Sequence, residues 1–204
     1  MKPTSLRGLM LAGTVTAALV LSALAHTRAQ ASVQTPTQTP AQAPFQAGNA
    51  SVRFAYRVTL IPVNGTANAL SSAVRLNFDD LAATRATVRV DLTSLRTGIG
   101  LRDQHAHEAL GAAEHPEAVF TVTKFSGPDR IAPGQTLGGQ VSGAFALKGV
   151  TRPLTAPVTL SRAGDTLQVT TEFTIFPQEH GVQVRGADQT TTVRVAFTLT
   201  PGKS

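Results

Sequence analysis

The sequence predicts an all-β fold of about eight antiparallel strands, on three observations. Apolar and polar residues alternate with period two in eight separate stretches. Turn-forming pairs lie between or beside them: Asn64-Gly65, Gly127-Pro128, Pro133-Gly134, Gly138-Gly139 and Gly164-Asp165, with Gly149 marking a further turn. The one stretch that breaks the pattern, Gly100 to Glu114, is rich in Ala, Leu, Glu and Gln, contains no Pro, and reads as a short helix between the third and fourth strands.

Each strand has one apolar and one polar face, because side chains point alternately to the two sides of a sheet. In Ser51 to Ile61 the apolar set is Val52, Phe54, Tyr56, Val58 and Leu60, against Arg53, Arg57 and Thr59. Ala73 to Asp79 carries Val74, Leu76 and Phe78, and Arg85 to Thr93 carries Ala86, Val88, Val90 and Leu92. Val119 to Phe125 is weaker, with Phe120 and Val122 opposing Thr121 and Thr123. Gln140 to Lys148 presents Val141, Gly143, Phe145 and Leu147, and Leu154 to Leu160 presents Leu154, Ala156, Val158 and Leu160. Thr166 to Phe176 presents Leu167, Val169, Phe173 and Ile175, and Thr192 to Thr200 presents Val193, Val195, Phe197 and Leu199. Such strands hide their apolar faces in a sandwich or by closing into a barrel, and alternation alone does not choose between the two.

The ends of the chain set the organisation. Residues 1–31 have the order of a secretory signal: Lys2 and Arg7, an uncharged run from Leu9 to Ala25, then two small-residue cleavage sites, after Ala25 and after Ala31. The competing reading is an uncleaved N-terminal anchor, disfavoured by Thr14, Thr16 and Ser22 within the run and by its small-residue end. A signal implies a periplasmic or secreted protein with no stable membrane span once it is cleaved. Residues 32–49, rich in Gln, Thr, Pro and Ala, read as a disordered spacer that buries too little apolar surface to offset its ordering entropy. Residues 50–201 form the folded domain, long enough to bury a substantial core.

Composition excludes several functions. The chain has no cysteine, so it has neither disulfides nor thiolate metal sites, and no lipid-modified cysteine can follow the signal. The formal net charge is +6, but Lys2, Arg7 and Arg28 all precede Ala31, and the remaining cations are dispersed. That pattern is a solvated surface and not a nucleic-acid footprint. There is no G-x-S-x-G elbow and no glycine-rich phosphate loop, so an enzyme is not expected. Asp79-Asp80 reads as an ordinary turn, and Gly149 to Pro153 as a hairpin. His105, His107, His115 and His180 do not form a metal motif, since His105 and His107 stand two apart and miss a common helix face.

Two separated motifs carry a family resemblance. Ser94-Leu95-Arg96-Thr97-Gly98 is followed by Arg102-Asp103-Gln104-His105 and then by Pro116-Glu117-Ala118-Val119-Phe120. Gly143-Ala144-Phe145-Ala146-Leu147-Lys148-Gly149-Val150-Thr151-Arg152-Pro153-Leu154 follows further on. In order and spacing this resembles the YceI-like family, the polyisoprenoid-binding proteins, over about residues 50 to 200. The resemblance implies an eight-stranded antiparallel lipocalin-like barrel with the helix covering one end, and an elongated apolar lumen that takes a long isoprenoid, quinone or fatty chain. It offers no catalytic residues to carry over. The sequence departs from the family pattern at Gly65 to Leu70, before Pro116 and at Pro177 to Gly181.

The candidate ligand-binding residues are therefore the inward apolar set: Phe54, Tyr56, Val58, Val74, Leu76, Phe78, Val88, Val90, Phe120, Val122, Val141, Phe145, Leu147, Phe173, Ile175, Val195 and Phe197. Nine Phe, one Tyr and no Trp are few large residues for eight strands, so small inward residues would leave a channel. The alternative is a barrel filled by its own side chains, serving interaction or stress response. Arg102, Asp103 and His105 form a polar rim. They would either grip a ligand head or pin the helix to the barrel, and pinning is preferred because an exposed mouth gains little from a charge pair. No cofactor is expected, since an isoprenoid or quinone would be held as cargo. The partner is a long-chain apolar small molecule and not nucleic acid, and the sequence is compatible with a homodimer.

Overall fold

The computed structural model describes residues 43–68 and 70–202. The signal expected at residues 1–31 and residues 32–42 of the expected spacer lie outside them. Nine strands run β1 (Ala43–Val58), β2 (Ile61–Ala67), β3 (Leu70–Leu76), β4 (Arg85–Asp91), β5 (Glu117–Ser126), β6 (Thr136–Leu147), β7 (Val150–Ala163), β8 (Thr166–Ile175) and β9 (Thr191–Pro201), with one helix, α1 (Gly100–Leu110), between β4 and β5. All pairings are antiparallel, and β1–β9 pairing closes the sheet.

The nine strands make an eight-stranded barrel because β2 and β3 are two halves of one bent strand. β1 pairs with β2 from Val58↔Ile61 to Val52↔Ala67 and then, in the same register, with β3 from Phe45↔Val74 to Ala43↔Leu76. The bend matches a register slip in β1 between Gly48 and Ser51, where Asn49 has φ 49°. Extra residues in a ladder bend the strand and sharpen its twist.

Four sequence expectations are corrected. β1 starts at Ala43, so the folded domain reaches into the spacer assigned to 32–49; Phe45 there is buried in the core. Leu60, placed on the inward face, is 84% exposed, because the first hairpin turns at Thr59-Leu60, with φ 47° and 70°. This primed turn carries no Gly, Asn or Asp signal. Asn64-Gly65 and Gly138-Gly139 lie inside β2 and β6 and are not turns. In β2 the Phe54 ring lies where a side chain at position 65 would go: a Cβ there would meet Phe54 Cζ at 1.9 Å. Finally, α1 stops at Leu110, where Gly111 at φ 64° takes the left-handed cap, short of Glu114.

Gly143 faces Val122 across a bulge in β5 between Val122 and Lys124. A Cβ on Gly143 would lie 2.0 Å from the Thr121 carbonyl oxygen. The glycine sets strand spacing at the bulge, not the width of the lumen.

The two ends of the barrel differ. At the end where the chain enters, a 3-10 turn at Leu81–Ala83 is capped by Asp80, whose carboxylate accepts from the Ala83 N–H. The Leu81 N–H donates to Asp129 O at 2.7 Å and the Ile131 N–H to Phe78 O at 2.9 Å. Leu81, Ile131 and Leu167 are the most deeply buried large side chains. The Arg162 guanidinium stacks 3.7 Å over the Phe78 ring and donates to Ile131 O, and Phe78 meets Phe45 edge-to-face. This end is closed, and α1 lies over the other.

Candidate functional site

The inward faces of the strands enclose a cavity of about 290 Å3. Its lining runs from Leu81, Leu167 and Phe125 at the closed end to Ala106, Ala109 and Leu110 of α1 at the other. It is mostly apolar: Tyr56 and Thr171 bring hydroxyls to the barrel wall and Thr84 to the closed end, and Gln178, Asp188 and Thr191 add polar atoms at the rim. The lumen stays open because β4 and β5 offer Ala86, Val88, Val90 and Ala118, and β7 offers Ala156, where a packed core would need larger residues.

The structure places most of the sequence-derived set on this wall. Phe54 and Tyr56 of β1 line it, their rings stacked at 6.3 Å. So do Val74 and Leu76, Val88 and Val90, Phe120 and Val122, Val141, Phe145 and Leu147, Phe173 and Ile175, and Val195 and Phe197. Two residues fall elsewhere. Phe78 lies beyond the end of β3 and forms part of the closed end under Arg162. Val58 lines a recess at the mouth, between the hairpin tip, α1 and Val184, which shares Tyr56 and Ala106 with the lumen. Sequence reading missed the lining from α1 and from Pro177 to Asp188, because neither segment alternates, and missed Thr171 of β8, a polar residue at an inward position. Burial holds the Tyr56 hydroxyl above its ordinary pKa, with Arg102 opposing and Asp103 reinforcing the shift.

The polar rim divides. Arg102 and Asp103 converge on Thr97, which is buried. The Asp103 carboxylate accepts from Thr97 N at 2.6 Å and from Thr97 Oγ1 at 2.5 Å. Arg102 Nε donates to Thr97 Oγ1 and Arg102 Nη2 to Thr97 O, both at 2.8 Å. These bonds bind the first turn of α1 to the loop before it, which has no side-chain N-cap of its own. His105 is exposed and joins no hydrogen bond among the described residues; it faces the mouth recess.

Other contacts hold the rest of the helix. His107 Nε2–H donates to Leu95 O at 3.1 Å; a carbonyl only accepts, which fixes the proton on that nitrogen. Lys148 Nζ donates to Ala109 O at 2.9 Å and to Gly181 O at 3.1 Å, tying the helix C-terminus to the rim loop. Lys148 and Gly149 form the two-residue turn between β6 and β7, with φ 50° and 73°. His180, also buried, donates from Nδ1 to Val150 O and sets its ring edge-to-face with Phe145. His105, His107 and His180 are thus in three settings, and among the described residues no three His, Asp or Glu group to hold a metal ion.

Hydrogen bonds from Thr97 hold Asp103 below the ordinary carboxylate range, and those from Thr93 do the same for Asp91. A carboxylate with a depressed folded-state pKa contributes stability above its unfolded value, and that contribution is lost as pH falls through the folded one. Stability should therefore decline on acidification below about pH 4, the unfolded carboxylate range. In Thr97→Val the decline should be shallower, since Asp103 loses the hydroxyl donor and keeps only the backbone N–H. Melting temperature followed from about pH 7 to 2 for both proteins checks this; parallel acid limbs would count against the Thr97 hub.

The wall parts near the mouth. β7 pairs with β6 from Val150 to Ser161 but with β8 only from Val158↔Thr171 to Ala163↔Thr166. Pro153 and Pro157 lie in the stretch where the β8 ladder has stopped, and neither has an N–H to donate.

The sequence pattern of the YceI-like domain matches residues 44–200. The chain belongs to the YceI-like domain family. Solved structures with the same fold include BcnA of Burkholderia cenocepacia, at 18% identity and TM-score 0.63, covering 73% of this chain and 95% of that one. A polyisoprenoid-binding domain from Saccharophagus degradans, implicated in plant cell wall breakdown, gives 16% identity and TM-score 0.66 over 79% and 100% of the two chains. The YceI protein of Campylobacter jejuni gives 15% and 0.53 over 70% and 86%. No curated protein matches the chain. The YceI-like match begins one residue into β1 and ends within β9, so the family domain is the whole barrel, including the residues first assigned to the spacer. Among the described residues no helix is long and apolar enough to cross a membrane.

Proposed function

We propose that this YceI-like protein is an exported, non-enzymatic carrier or sequestering protein for a long apolar chain, an isoprenoid, quinone or fatty chain, held in the barrel lumen. The observation that carries the reading is the continuous apolar cavity from Leu167 to Ala106. At about 290 Å3 it stands at the lower edge of the ~300–1,000 Å3 typical of small-molecule sites. Its length suits a chain better than a compact ligand. β6 has 12 residues, about 40 Å along the strand and about 30 Å along the barrel axis at the usual tilt. With a wall that is apolar apart from Tyr56, Thr84 and Thr171, selection is mainly by length and cross-section, at about 0.8 kcal/mol per buried CH2. The polyisoprenoid binding named for the Saccharophagus degradans domain supports the same class of ligand. The signal-like order of residues 1–31 supports export to the periplasm or beyond.

Native mass spectrometry of protein purified from its own host tests the reading. A co-purifying lipid-sized mass, removed by organic extraction, is the expected result. Protein that is recovered empty and takes up no added isoprenol would instead favour an interaction or stress protein with an unused lumen.

A further inference from the structure

The large apolar side chains that remain exposed are not scattered. Among the described residues they are Leu60, Ile61, Ile99, Leu101, Phe176 and Val184. All six lie at the mouth: on the β1–β2 tip, at the start of α1, and on the rim segments after β8. The closed end has none of them.

We propose that this mouth docks on the surface of an anionic lipid bilayer, with Leu60, Ile61 and Leu101 entering the interface beside the opening of the lumen. Three observations favour a bilayer over a protein partner. First, the side chains protrude as two separate tips, Leu60 (84% exposed) with Ile61 (64%) on the hairpin and Leu101 (65%) on α1. A stable protein interface needs a contiguous complementary area, whereas a fluid bilayer accepts isolated tips. Second, the hairpin is cationic. It carries the exposed Arg57 next to the tip, the exposed Arg53 further down β1, and no carboxylate, and the first acidic residue of the entire sequence is Asp79. The loop bridged to it through Val58↔Ala187 carries exposed Arg185 and exposed Asp188 and so leaves the hairpin's positive charge uncancelled. The acidic residues of this end belong to the helix and the rim loops, and Asp103 is engaged by Thr97. Basic groups flanking apolar tips match anionic headgroups. Third, the tip is braced for a poorly hydrated setting. The Thr59 N–H donates to Gly186 O at 2.7 Å and the Asp188 N–H to Arg57 O at 2.9 Å, so these donors do not enter the interface unpaired.

Docking would let an apolar chain pass between bilayer and lumen without crossing water. That purpose rests on the lumen reading; the docking itself is measured on ligand-free protein, so the two fail separately. The experiment is co-sedimentation of the protein with vesicles of phosphatidylethanolamine and phosphatidylglycerol, against vesicles of phosphatidylcholine alone. The parent should prefer the anionic vesicles, and the preference should weaken as salt rises. The triple variant Leu60→Asp, Ile61→Asp, Leu101→Asp should bind at least about tenfold more weakly, given the lost apolar insertion. It should keep the parent's melting temperature, because the replaced side chains are exposed and Asp tolerates the positive φ at position 60. Arg53→Ser with Arg57→Ser should remove the preference for anionic vesicles. Absence of parent binding, or a triple variant that binds like the parent, would overturn the proposal. So would sedimentation velocity showing that the tips join two copies of the chain, by a parent dimer that the triple variant abolishes.

Discussion

Gly143→Ala is expected to cost about 3 kcal/mol of folding stability, at the upper end of overpacking penalties for so small a change. The added methyl has nowhere to go. Its carbon would stand 2.0 Å from the Thr121 carbonyl oxygen and 2.8 Å from the carbonyl carbon. Those are backbone atoms at the β5 bulge, so relief requires β5 and β6 to separate where Val122 pairs with position 143. For a domain of this size the loss corresponds to a fall in melting temperature of about 6–12 °C. Gly48→Ala is the control: a Cβ at Gly48 meets nothing within 4 Å, and its cost should be small. Thermal unfolding of the two variants beside the parent decides the matter, and equal melting temperatures would mean that the bulge is not as tight as drawn.

The second large effect concerns the lumen. Ala86→Trp should fill the cavity while keeping the inward face apolar. Ala86 lines the lumen, pairs with Val74 on one side and Val122 on the other, and packs against the main core cluster. An indole there competes for the space a ligand chain would use. Exclusion of four methylenes forfeits about 3 kcal/mol, or about a hundredfold in affinity. Titration with a fluorescent isoprenoid measures the change. The stability cost should be modest, because the side chain enters an existing void and not a packed site. Undiminished binding by a folded Ala86→Trp protein would place the ligand outside the barrel. Gly143 is unsuitable for such a plug, although alternation assigns it to the inward face, because its Cβ direction leads into the neighbouring backbone and not into the void.

These two glycine and alanine positions illustrate what alternation conveys. Period-two patterning placed Ala86 on the inward face correctly, because facing is a local property of an extended chain, but at Gly143 the Cβ direction runs into β5 instead. It could not tell free space from contact, which depends on where β5 bulges. The same division runs through the rest of the site. Val88, Phe120, Phe145 and Phe197 were legible as wall residues from their own strands. Ala106, Leu110 and Val184 were not, since they reach the lumen from a helix and a loop with no alternation to mark them. The Arg102 and Asp103 pair was visible as a polar cluster, but its partner Thr97 stood in a motif whose side-chain direction no local rule supplies.

By itself the amino-acid sequence determined most of the strand faces, the helix between the third and fourth alternating stretches, and the absence of thiol chemistry; these are matters of residue type and short-range spacing. Tertiary structure alone decided the closure of β1 on β9, the union of β2 and β3 into one bent strand, and the void that small residues leave when eight strands meet. The physical reason is that backbone ladders and cavities join residues far apart in the chain, and their geometry is set by twist, bulge and register acting together.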